Sequence, residues 1–190
     1  CIRRMQAAAT PRAIARRFPV RTEAPDLVEI AGLTIHSRDL CRNLSGCDDA
    51  YLFAATIGIG LDLLIKRGEV ASMTDSIIYQ AAGAEMIESY ADREVAPRRA
   101  QEAARGYQLR PRYSPGYGDL SLALQTDFAR ILDMQQWCGI SLTDALLMVP
   151  SKSITAFIGC TRQAKTAPDG AYLAQEVNPL KLGTSCSEAN

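Results

Sequence analysis

The residues best suited to chemistry in this 190-residue chain lie in one short run, Arg112-Tyr113-Ser114-Pro115-Gly116-Tyr117-Gly118-Asp119, followed by Leu122 and Gln125. A guanidinium can fork onto a carboxylate, a glycine lets a ligand come close to the backbone, and a tyrosine offers a ring for stacking and a hydroxyl for hydrogen bonding. Together these meet the needs of a zwitterionic ligand that carries an adenine. Prolines and aromatics also restrict a chain, so the residues alone fit a rigid turn between helices equally well.

Other chemistries find less support. Gly58-Ile59-Gly60 follows a strand-like run, but Leu63 stands where G-x-G-x-x-G requires its third glycine, so a pyrophosphate could not approach in the usual way. Nucleophilic catalysis by serine or cysteine needs a nearby base, and His36 is the single histidine. The six cysteines (Cys1, Cys41, Cys47, Cys138, Cys160, Cys186) include no C-x-x-C pair, which argues against a zinc site and for free thiols. Asp48, Asp49 and Glu94 read as solvated caps at element edges. No catalytic side chain and no metal ligand are therefore expected.

Composition narrows the function further. With 47% hydrophobic residues the chain can bury a substantial core, and one domain over 1–190 is expected. Its 21 basic and 21 acidic residues cancel, which gives no nucleic-acid footprint; Arg3, Arg4, Arg12, Arg16, Arg17 and Arg21 read as a solvated helix face. Apolar runs are interrupted by Asp62, Lys66, Arg67 and Pro150 well short of the roughly 18 to 20 residues of a membrane helix. No apolar h-region follows the N-terminal basic residues, so a cytoplasmic location is expected.

The elements that must position the motif can be read from the pattern. An Ala- and Arg-rich N-terminal arm over 1–25 predicts one short helix after Pro11. Val28 to Ile35 reads as two extended pieces split at Gly32, and Ser37 as the cap of a helix reaching Leu44. Ala50 to Gly58 is the clearest strand, apolar enough to be buried on both faces. Leu61 to Arg67 predicts a helical turn or two. Thr74 to about Arg105 predicts a long helix broken or kinked at Pro97. Gln125 to Cys138 predicts a helix ending at Gly139, and Ser141 to Asp144 has capping-box spacing before a turn closed by Pro150. Ser153 to Gly159 alternates as a strand, and 175–190 reads as a frayed tail beyond a core of 26–174. The irregular mixing of strands and helices favours an α+β class over a doubly wound sheet.

At this point the sequence resembles a known family: the activation domain of cobalamin-dependent methionine synthase and its stand-alone relatives, which share an R-x-S-P-G-Y-G-D-like run. Ala50 to Gly58 is similar to that family's core strand and Ala81 to Asp92 to the helix that follows it. Gly139 to Thr143, Met148 to Pro150 and Lys152 to Ile154 are similar to the segment after the motif loop. The match extends from about Tyr51 to Gly159.

The resemblance implies a twisted, mainly antiparallel sheet flanked by helices, and a site for S-adenosylmethionine. It implies that Arg112 holds the ligand carboxylate, that Glu88 faces the ammonium or sulfonium end, that Tyr117 lies near the sulfonium, and that Ser114 and Gly116 make backbone contacts. Read from the helix alone, Glu88 also fits a solvent-facing carboxylate. A further backbone contact near Gly170 to Tyr172 is implied, and Asp119 and Lys152 are assigned to fixing the loop. No residue matches the family's first acidic ligand contact, for which Asp26 and Asp48 are the available candidates. The expected function is to bind S-adenosylmethionine for reductive reactivation of a cobalamin-carrying methionine synthase or related corrinoid protein. Cobalamin would come from that partner and electrons from a flavodoxin-type reductant. Two alternatives stand beside it: an independent S-adenosylmethionine-dependent small-molecule methyltransferase, and a degenerate regulatory protein that binds another adenosyl ligand.

Overall fold

A computed structural model describes residues 1–162. The architecture is α+β: a six-stranded, wholly antiparallel sheet in the order β3-β2-β1-β4-β8-β5, with helices on both faces. Its strands are β1 (Arg12–Glu23), β2 (Leu27–Ile30), β3 (Leu33–His36), β4 (Cys47–Thr56), β5 (Tyr107–Leu109) and β8 (Ser153–Arg162). A small hairpin of β6 (Ser141–Leu142) and β7 (Met148–Val149) stands apart from it. The helices are α1 (Ile2–Ala8), α2 (Arg38–Leu44), α3 (Ile59–Ala71), α4 (Met73–Ala104), α5 (Leu124–Leu132) and α6 (Met134–Cys138).

The alternation of β4 explains the two faces. Leu52 and Ala54 point into a core shared with Leu40, Leu44, Phe128, Leu132 and Phe157 under α2, α5 and α6. Phe53 and Ala55 point the other way, into a core with Leu61, Ile65, Tyr79, Ile87 and Val95 from α3 and α4. Both faces are covered, so a near-continuous apolar run is what this central strand requires. On the first face the rings of Phe128 and Phe157 meet edge to face at 4.8 Å.

Four expectations need correction. The N-terminal arm is not a helix after Pro11: the helix precedes that residue, and Arg12 onward forms the longest strand. Alanine and arginine favour helix locally, but β1 pairs with β4 from Arg12 to Pro19 and with β2 from Val20 to Glu23, and this pairing overrides propensity. The basic residues of this stretch accordingly decorate a strand. Pro19 stands where β1 changes partners, a position that needs no ladder donor.

Pro97 does not break α4, which runs through it. Buried side chains on both sides of the proline, Val95 and Glu102, pin the helix, and the Arg98 guanidinium donates to the Glu94 carbonyl at 2.5 Å. The helix expected from Gln125 to Cys138 is two helices, divided where Asp133 adopts a left-handed conformation (φ 52°, ψ 55°). That turn lets Leu132 and Met134 both enter the core. Finally, Ser141 to Asp144 starts a hairpin instead of a helix: the Thr143 amide donates to the Leu147 carbonyl at 2.9 Å, and the Thr143 hydroxyl accepts from the Leu147 amide at 3.1 Å.

Gly58 and Gly60 have a structural purpose. A Cβ at Gly58, whose φ is 87°, would run into Thr10, and one at Gly60 into the Ala8 carbonyl, so these glycines let the N-terminal segment cross the start of α3. No helix among the described residues is long and apolar enough to cross a membrane. The expected contact near Gly170 to Tyr172, the frayed tail and Cys186 lie outside the described residues.

Candidate functional site

The motif loop is fastened at three points before it reaches any ligand. Tyr113 forms an isolated antiparallel bridge with Phe157 of β8, its amide donating to the Phe157 carbonyl at 2.9 Å and its carbonyl accepting at 2.8 Å. Next, Gly116 adopts φ 91°, a conformation suited to glycine, and its amide donates to the Leu120 carbonyl at 2.8 Å. The third anchor is Asp119. Its carboxylate accepts from the Ser37 hydroxyl at 2.5 Å, from the Arg38 amide at 2.8 Å and from the Asp39 amide at 3.3 Å, at the start of α2. The Ser37 hydroxyl, then those two amides, hold the Asp119 carboxyl below its ordinary range. The Tyr113 hydroxyl donates to the Tyr117 carbonyl at 3.2 Å, and burial followed by the Asp39 and Asp119 charges raises its pKa.

So fixed, the loop forms one wall of a cleft of about 820 Å³, with α4 as the facing wall. Ser153 to Thr155 of β8 and the end of β5 supply the floor, where the buried Thr155 hydroxyl and the Gln125 side-chain oxygen lie 3.0 Å apart. Of the expected site residues, Glu88, Arg112, Ser114 and Tyr117 line this space together. Gly116 is not among the lining residues; it shapes the turn between Ser114 and Tyr117. Tyr117 is 69% exposed, so the rim is open to solvent.

The electrostatic centre is Arg112, whose side chain is only 18% exposed. Its Nη2 donates to Glu88 Oε2 and its Nη1 to Asp92 Oδ1, each at 2.6 Å. One helical turn separates the two acids, which puts both on the same face of α4. Sequence reading singled out Glu88 and passed over Asp92, although the four-residue spacing was available. It also passed over Arg99, which lines the cleft and donates to the Leu109 carbonyl at 3.1 Å.

Asp26 and Asp48, the candidates for a first acidic contact, are not in the cleft. The Asp26 carboxylate lies 3.4 Å from His36 and that of Asp48 3.7 Å from Arg162. Asp49 and Glu94 are not free caps either, since they pair with Arg17 and Arg98. Lys152 reaches across to Gln80 on α4 at 2.8 Å, a fastening contact beside the cleft. Among the described residues no group of three His, Cys, Asp or Glu side chains could hold a metal ion, and the five described cysteines are free thiols.

No family model matches the chain, and no curated protein matches it. Its fold does match a solved structure described as the MetH reactivation domain bound to AdoHcy, with a TM-score of 0.64 and 18% sequence identity. The match covers 85% of this chain and 62% of that one, so this chain spans under two thirds of the neighbour's length. The fold is thus that of a methionine synthase reactivation domain.

Proposed function

We propose that this chain binds S-adenosylmethionine in the cleft between α4 and the motif loop, and that it presents this methyl donor for reactivation of a cobalamin-carrying methionine synthase or related corrinoid protein. One observation carries the reading. A guanidinium held almost out of solvent faces a cleft of suitable size, on a fold shared with a domain solved with S-adenosylhomocysteine, the same ligand without its transferable methyl group.

The residues present fit such a ligand. Arg112 takes its carboxylate, Glu88 faces its ammonium or sulfonium end, and Tyr117 lies toward the sulfonium, while the turn at Gly116 brings backbone close to the ligand. A corrinoid on the partner would supply the nucleophile, so the task of this chain is to hold and orient the donor, and no side-chain base is needed. The open rim at Tyr117 suits a methyl acceptor that arrives on another protein better than a small substrate enclosed with the donor, which disfavours an independent small-molecule methyltransferase. In this reading the reductant is a flavodoxin-type protein and the setting is the cytoplasm.

Calorimetric titration of S-adenosylmethionine into the wild type and into Arg112→Ala tests the proposal. Loss of a charge-assisted contact should weaken binding roughly ten- to hundredfold. A wild type that binds nothing, alone or with a cobalamin-carrying domain present, would remove the proposal, and it would leave a degenerate cleft as the better description.

A further inference from the structure

Arg112 does not present a free fork. Asp92 and Glu88 take its two terminal nitrogens, so a ligand carboxylate reaches the guanidinium only by replacing one of them. The two are not equally held. Asp92 is 77% exposed and Glu88 54%, so Asp92 returns to water at lower cost. Once displaced, Asp92 remains at the cleft wall as an anion without its partner. Arg99, the other cation that lines the cleft among the described residues, is engaged with the Leu109 carbonyl.

That loss is offset if the incoming molecule brings a cation as well as a carboxylate. An α-amino acid head group does so, with its ammonium on the carbon next to the carboxylate and thus beside the displaced side chain. We propose that Asp92 is a specificity-determining residue of this cleft. It exchanges with a zwitterion, releasing Arg112 to the ligand carboxylate and accepting the ligand ammonium, and it thereby selects adenosyl ligands with an amino-acid head over those with a carboxylate alone. Glu88 stays on Nη2 throughout, and of the two ligand ends named for it above it is left facing the sulfonium. This inference rests on the adenosyl-ligand reading above and adds a discriminating residue to it.

The test is a pair of calorimetric titrations, S-adenosylmethionine and its deaminated analogue with hydrogen in place of the amino group, into the wild type, Asp92→Asn and Glu88→Gln. In the wild type the zwitterion binds more tightly. In Asp92→Asn the preference narrows by at least about fivefold, chiefly because the deaminated analogue gains affinity when no charge has to be displaced. Asp92→Ala should give the same narrowing, which guards against an effect peculiar to asparagine. An unchanged preference in both Asp92 variants, or a narrowing seen only in Glu88→Gln, overturns the assignment while leaving the ligand reading intact. Failure of the wild type to bind either ligand overturns the ligand reading and this inference together.

Discussion

Two arginines of this chain are each gripped by two carboxylates, at different points along the long helix α4. Arg17 on β1 donates to Asp49 at 2.7 Å and to Glu102 at 2.8 Å, with its guanidinium stacked 5.0 Å from the centre of the Tyr107 ring. Arg112 donates to Glu88 and Asp92 at 2.6 Å. The bonds are alike and the surroundings are not. Glu102 is completely buried and also accepts from the Tyr51 hydroxyl at 2.5 Å, whereas both partners of Arg112 are more than half exposed. Burial opposes the Arg17 charge, and the Asp49 hydrogen bond with the neighbouring acids outweighs it, so the pKa of Arg17 stands above its ordinary value. A pair whose carboxylate is sealed from water, like Glu102, cannot be opened without stranding a charge, while one whose carboxylates face water can trade partners. The first fastens the end of α4 to the sheet; the second lines the cleft.

The contrast is most sharply broken by Arg17→Met, which leaves the buried Glu102 with the Tyr51 hydroxyl and the more distant Arg105 guanidinium at 3.7 Å. A loss of about 3 kcal/mol in unfolding free energy is expected by urea denaturation, against less than about 1 kcal/mol for Arg112→Ala. Comparable losses in the two variants would erase the distinction. A smaller effect is expected at the loop anchor. Asp119→Ala frees the motif loop from α2 and should weaken S-adenosylmethionine binding by about three- to tenfold through lost preorganisation. Because the folded state lowers the Asp119 pKa, its contribution is present above the unfolded value near 4 and fades only as pH falls below it, so the affinity ratio of wild type to Asp119→Ala should stay flat from pH 8 to 5.

The smallest effect lies in alkali. Burial, then the hydrogen bond and charge of Glu102, push the Tyr51 hydroxyl up to about 12. A raised folded pKa favours the protonated form, so this contribution is complete below the unfolded value of about 10 and is lost as pH rises toward 12. Tyr51→Phe should flatten part of the fall in stability over that interval, measured by denaturation at pH 9 and 11.

Legibility in the sequence divides along the same line. The motif loop could be found because its residue types state their chemistry locally. The helix after Ser37, the turn at Gly32 and the strand at β4 could be found because their signals are also local. The strand β1 could not, because its partners lie about 30 or more residues away in β4 and its own alanines and arginines point to helix. The Arg17 clamp joins residues 85 apart, and nothing at either end marks Glu102 as buried. Asp92 is an intermediate case: its helical spacing from Glu88 was visible, but its hold on Arg112 depends on how the loop returns to α4, 20 residues later.

Whether a ligand opens the Arg112 clamp can be read from ligand-linked stability. At S-adenosylmethionine about a hundredfold above its dissociation constant, the unfolding free energy of the wild type should rise by about 2.7 kcal/mol. The same concentration should give Arg112→Ala only about 0.4 to 1.4 kcal/mol, because a ten- to hundredfold weaker affinity leaves the ligand at about one to ten times its dissociation constant. Equal stabilisation of the two proteins would mean that the ligand binds without the guanidinium and leaves the clamp closed.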